Sequence, residues 1–167
     1  MSIIDEANPS RQDRITGPLE LFRGLKLDKE EVNMYKGLAR RKASYQMLGY
    51  TSTSRNKGEA IKFAIEDVQP DQSPVIFRIR MQNESGKYMF SMDSEAYSMY
   101  PEEEEVLIQQ GLPFTVMAVE EREDTESQSK YTEILIDTSE SLIFKKRVFE
   151  LIRILASFAI FNLGSLY

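Results

Sequence analysis

Tyr100-Pro101-Glu102-Glu103-Glu104-Glu105-Val106-Leu107-Ile108 sets four carboxylates directly ahead of an apolar segment of strand character. Alone, an acidic run reads as a solvated loop. Here it passes without a break into Val106-Leu107-Ile108, so its last member opens a strand and several carboxylates gather at the mouth of a fold. Side chains alternate along an extended chain, which puts Glu103 and Glu105 on one side and Glu104 on the other.

Working outward, alternating or β-branched segments predict further strands over 74–81, 87–92, 105–108, 113–121 and 130–137. Gly86 and Gly111 punctuate turns, and 121–129 reads as a charged hairpin loop. On the N-terminal side, 19–23 and 48–54 also have strand character. The segment 28–47 is rich in Lys, Glu, Arg and Ala and reads as wholly or partly helical. Asn56 with Glu59 three residues later has the form of a capping box, and Ile61, Ala64, Ile65 and Val68 follow at helical spacing, which predicts a helix over 57–67 that Pro70 ends. A few helices followed by many strands implies an α+β fold of packed, mainly antiparallel sheets with flanking helices.

Residues 1–17 read as a polar arm, 18–140 as the core, and 141–167 as a basic, then apolar, C-terminal helix. From Ile154 onward the tail carries no charge, but it is shorter than the roughly 20 apolar residues a membrane-spanning helix needs. Docking on the domain is favoured over contact with a membrane surface. No basic region feeds an apolar one at the N-terminus, so no secretory signal is read there; the expected setting is cytoplasmic, or outside the cell by another route.

Composition narrows the chemistry. A chain of 167 residues with 41% hydrophobic residues is enough for one domain with a real core. The net charge of -6 argues against binding nucleic acid through counterion release. Cysteine and histidine are both absent, which removes disulfides, thiolate and imidazole metal sites, cysteine nucleophiles and the Ser-His-Asp arrangement. Carboxylates, Lys, Arg, Ser and Tyr remain, and no metal is expected. None of the glycines forms Gly-x-Gly and there is no Gly-Lys-Ser/Thr loop, so a dinucleotide would occupy a cleft rather than a Rossmann turn.

Two short motifs precede the acidic run. Phe22-Arg23-Gly24 ends the first predicted strand; its arginine can pair with a surface carboxylate, or present a bidentate fork to a pyrophosphate that Gly24 lets come close. Ser52-Thr53-Ser54 is a small-hydroxyl strand end; it can cap the next helix, or orient a carboxylate through the Ser52 hydroxyl.

Taken in order, Arg23, then Ser52-Thr53-Ser54, then Glu103-x-Glu105-Val106-Leu107 resembles the signature of the mono-ADP-ribosyltransferases, the family of the arginine-modifying toxins and vertebrate ecto-enzymes. The resemblance runs over about 19–136, with Ala60-x-x-Phe63 and Phe114-Thr115-Val116 reinforcing it. It implies two sheets forming an NAD cleft, and an enzyme that transfers ADP-ribose from NAD to an arginine of a target protein with release of nicotinamide. Family members carry a helical lobe before the arginine strand; 22 residues precede Arg23 here, so that lobe is expected to be reduced or absent.

The resemblance also implies roles. Glu105 becomes the catalytic glutamate, Glu103 the acid that engages the acceptor guanidinium, Ser52 the residue that positions Glu105, and Arg23 the pyrophosphate ligand. Gly24, Thr53 and Ser54 would contact NAD, Phe63 would lie against the nicotinamide, and Tyr100 would face the target protein. A carboxylate suits this chemistry because cleavage of the nicotinamide–ribose bond develops an oxocarbenium-like cation. Water intercepting that cation would make the protein an NAD glycohydrolase instead. A catalytically silent binding module of the same fold is the rival from another class.

Overall fold

The fold is built around strand β1, Leu19–Asp28, which pairs with β4, Gln72–Met81, in unbroken antiparallel register from Leu19↔Met81 to Asp28↔Gln72. It is seen in a computed structural model that describes residues 19–42, 44–81, 89–92, 100–125 and 127–138. The remaining strands are β2 (Ser44–Gln46), β3 (Thr51–Ser54), β5 (Met89–Ser91), β6 (Glu105–Ile108), β7 (Pro113–Glu123) and β8 (Lys130–Thr138). The N-terminal arm and the C-terminal helix expected from the sequence lie outside the described residues. Among those described, no helix is long and apolar enough to cross a membrane.

The strands form one sheet in the order β2-β7-β8-β4-β1-β3-β6-β5, with only β4 and β8 parallel. The α+β class and the mainly antiparallel pairing agree with expectation, but two separate sheets do not. The physical reason is a single link: β1 meets β3 at one register pair, Phe22↔Ser54, and this joins a five-stranded half to the three-stranded half β3-β6-β5.

Helix α1, Lys29–Arg41, starts at a capping box of Asp28 and Glu31, at the same spacing as Asn56 and Glu59. Asp28 Oδ1 accepts from the Glu31 N–H at 2.7 Å and Glu31 Oε2 accepts from the Asp28 N–H at 3.1 Å. Lys42, in the left-handed region at φ 47°, ends it. Its buried Val32 and Leu38 join Leu21, Val75, Ile79, Val106, Ile108, Val116, Ile134 and Ile136 in the main core.

Helix α2, Lys57–Ile65, covers the opposite face. Ala60, Ile61 and Ala64 pack with Ile76 and Tyr131 in a second core, and Phe22 lies against it. Val75 and Ile76, neighbours on β4, belong to different cores, as alternation along a doubly covered strand requires. At the start of α2, Lys57 Nζ reaches the buried Glu133 carboxylate at 3.1 Å. Burial lowers the Lys57 pKa, but hydrogen bonds to Tyr131 and Glu133, with the Glu133 charge, outweigh it and leave the pKa raised.

Other boundaries moved for local reasons. The strand expected over 48–54 begins only at Thr51. The chain before it is held as a loop, Met47 donating to the Leu112 carbonyl and accepting from the Gly111 N–H, and Leu48 is left 96% exposed. The Asn56–Glu59 capping box is half formed: Asn56 Oδ1 accepts from the Gly58 N–H at 2.9 Å, but the Asn56 N–H goes to Ser54 Oγ and Glu59 pairs with Lys62.

Gly24 is where β1 touches α2. A Cβ there would stand 2.1 Å from the Ala60 carbonyl oxygen and 2.9 Å from the Ala64 nitrogen, both backbone atoms of the helix. Helix and strand therefore approach as closely as they do because residue 24 has no side chain. Gly24→Ala is expected to cost about 2 to 3 kcal/mol as overpacking and to lower the thermal midpoint by roughly 8 °C, measured by circular dichroism melting.

Candidate active site

Three of the four hydroxyls of β3, those of Ser52, Thr53 and Ser54, fasten the segment that carries the glutamates. β3 pairs with β6 in the register Thr51↔Ile108 to Ser54↔Glu105. Ser52 Oγ donates to Glu105 Oε1 at 2.6 Å, Thr53 Oγ1 to the Val106 carbonyl at 2.6 Å, and Ser54 Oγ to the Glu103 carbonyl at 2.6 Å. Short hydrogen bonds to an ionised oxygen are the stronger kind, so the Ser52 bond fixes one carboxylate oxygen of Glu105. Its other oxygen, Oε2, makes no hydrogen bond among the described residues.

Glu103 and Glu105 do share a side, though not by strand alternation. Glu103 ends a 3-10 turn, Pro101–Glu103, and Glu104 follows in the left-handed region at φ 48° before β6 begins. This turn, braced by the Glu103 N–H on the Tyr100 carbonyl and the Arg55 N–H on the Glu104 carbonyl, brings both residues to one cleft. Glu102 and Glu104 are exposed and outside its lining, whereas Glu103 and Glu105 are half-buried.

The cleft has a volume of about 220 Å³ and is bounded by β1, β3, α2 and the glutamate turn. Arg23 and Gly24 from β1, Ser52, Thr53 and Ser54 from β3, Phe63 from α2, and Glu103 with Glu105 all line it. Eight residues singled out in the sequence, from four separated segments, thus converge on one cavity. Arg23 Nη1 donates to the Ser52 carbonyl at 3.1 Å, which ties the arginine strand to the serine strand, and no carboxylate pairs with it among the described residues. Phe63 is 56% exposed, an apolar ring open on the cleft wall.

Two expectations change in content. Thr53 is 4% exposed and its hydroxyl is spent on Val106, so its side chain braces the site rather than facing a ligand. Gly24 lines the cleft, but the helix backbone already fills the space above its Cα, so its lack of a side chain serves helix packing first. Tyr100 is 56% exposed on the turn before the glutamates and outside the cleft lining. Phe22 and Glu59 also line the cleft, unassigned from the sequence. The signals for them were faint: an aromatic beside the arginine, and an acid one helical turn before Phe63. Among the described residues no group of three or more Asp or Glu could hold a metal ion.

This combination of sheet, cleft and glutamate turn has a family. The chain matches the family model described as ADP-ribosyltransferase exoenzyme over residues 9–142, and it belongs to that family. Solved structures of similar fold include the ADP-ribosyltransferase HopU1 of Pseudomonas syringae pv. Tomato DC3000, 17% identical, with a TM-score of 0.54 over 75% of this chain and 47% of that one. Plx2a, an ADP-ribosyltransferase toxin from Paenibacillus larvae, is 14% identical, with a TM-score of 0.53 over 76% of this chain and 64% of its own. At such identities the likeness is one of fold, and the chain spans less than two thirds of either structure. No curated protein sequence matches it.

Proposed function

We propose that the protein transfers ADP-ribose from NAD to an arginine side chain of a target protein and releases nicotinamide. The observation that carries this reading is the 2.6 Å bond from Ser52 to Glu105 in a cleft shared with Arg23, Phe63 and Glu103. Family membership supports ADP-ribosyl transfer and NAD as the donor. The arginine acceptor rests on the second glutamate, Glu103.

In this reading the Arg23 guanidinium binds the pyrophosphate and Phe63 lies against the nicotinamide ring. Glu105, held through Oε1 by Ser52, accepts the ribose 2'-hydroxyl with Oε2. The bond between ribose C1' and the nicotinamide nitrogen breaks, its electron pair leaving with nicotinamide, which becomes neutral. The cation that develops on the ribose faces the Glu105 carboxylate in a partly desolvated cleft, where a fixed negative charge counts for more than in water. A guanidinium nitrogen of the acceptor then bonds to C1' and its proton passes to Glu103. Tyr100, exposed on the turn that carries Glu103, is part of the surface offered to the target.

Incubating the protein with labelled NAD and agmatine, and following nicotinamide release and label transfer together, tests this. Both products are expected, in comparable amounts. Nicotinamide release without transfer would make the protein an NAD glycohydrolase, and neither product at millimolar NAD would leave a silent binding module.

A further inference from the structure

Glu59 puts a third carboxylate in the cleft, and the proposed reaction gives it no task. Its place in the chain is that of a capping glutamate, which would turn back to the Asn56 N–H. That N–H is donated to Ser54 Oγ at 2.8 Å, and Glu59 Oε1 accepts from Lys62 Nζ at 2.6 Å. Glu59 is thus released from the helix end. Its side chain is only 22% exposed, and Oε2 has no hydrogen-bond partner among the described residues. Phe63 follows one helical turn later on the same face and lines the same cleft.

A carboxylate can only accept, so its ligand must donate. On a dinucleotide the donors are the ribose hydroxyls and two amino groups, and a vicinal diol offers two O–H groups to one carboxylate. Carboxylates read ribose hydroxyls in other dinucleotide sites for this reason. A bare anion in the cleft that also holds Arg23 would oppose a pyrophosphate; the Lys62 ammonium offsets it.

We infer that Glu59 binds a ribose diol of NAD, with Lys62 as the counter-ion that makes its charge compatible with the pyrophosphate. This rests on NAD being the donor. Because a 2'-phosphate would meet a carboxylate, a Glu59 on the adenosine side also selects NAD over NADP.

Calorimetric titration of NAD and NADP into the unmutated protein and Glu59→Gln tests it, with melting curves to show that the variant is folded. Loss of a charge-assisted hydrogen bond should weaken NAD about five- to tenfold. If the diol is the adenosine one, the preference for NAD over NADP collapses in the variant; if it is the nicotinamide one, both dinucleotides weaken alike. Lys62→Met should weaken NAD about threefold at low salt, an effect that fades in roughly 0.5 M salt as screening takes over. Unchanged NAD affinity in Glu59→Gln, with binding intact in the unmutated protein, overturns the inference alone; a raised KM for agmatine in that variant would show that the carboxylate serves the acceptor. Failure of the unmutated protein to bind NAD would sink the donor reading and this inference together.

Discussion

Glu105→Gln is expected to reduce nicotinamide release about 1,000-fold, the scale set by removing one aligned electrostatic partner of a developing charge. Glutamine has the same shape and still accepts the Ser52 hydroxyl, so the hydrogen bond at 2.6 Å has a ready successor and the fold keeps its melting temperature. What disappears is the negative charge facing the ribose cation. Both NAD hydrolysis and transfer to agmatine should fall together, because both pass through that cation. The measurement is chromatographic quantitation of nicotinamide at saturating NAD. A Glu105→Gln protein that retained a tenth of the native rate would remove Glu105 from the catalytic role.

Glu103→Gln is expected to separate the two activities. Its side chain serves the acceptor in this mechanism, not the bond that breaks. Transfer to agmatine should drop by about 100-fold, within the range for loss of a general base, while NAD hydrolysis stays within about threefold of native. The Glu103 carbonyl still accepts from Ser54 in the variant, so the turn should persist. Parallel loss of both activities would instead assign Glu103 to donor binding.

Much of this site was legible because its chemistry is written as residue types at characteristic spacings. With His and Cys absent, carboxylates stood out among the groups left for chemistry, and β6 begins at Glu105 as the change from acidic to apolar residues implied. Arg23, Ser52 and Phe63 were legible as members of an ordered set, and they meet in one cleft.

What the sequence hid depends on backbone geometry and on choices between equivalent partners. Glu103 and Glu105 were expected on one side by alternation, and they reach it through a 3-10 turn and a left-handed Glu104. Glu59 had the spacing of a cap, but the Ser54 hydroxyl took the N–H it would have used. That β1 and β3 share only one register pair is a long-range pairing, which no local pattern records.

That single pair, Phe22↔Ser54, is also a division of labour. Arg23 belongs to the five-stranded half, while Ser52, Glu103 and Glu105 belong to the three-stranded half or its approach. Within the sheet, one register pair and the bond from Arg23 to the Ser52 carbonyl cross the boundary, while beneath it the main core packs Leu21 and Val75 with Val106 and Ile108. In the proposed mechanism a dinucleotide held by Arg23 and by Glu105 would span the seam, and its binding energy would add to the cohesion of the two halves. Substrate would then join the two halves mechanically as well as chemically, adding a link at the seam where neighbouring strands of the sheet share fewest register pairs.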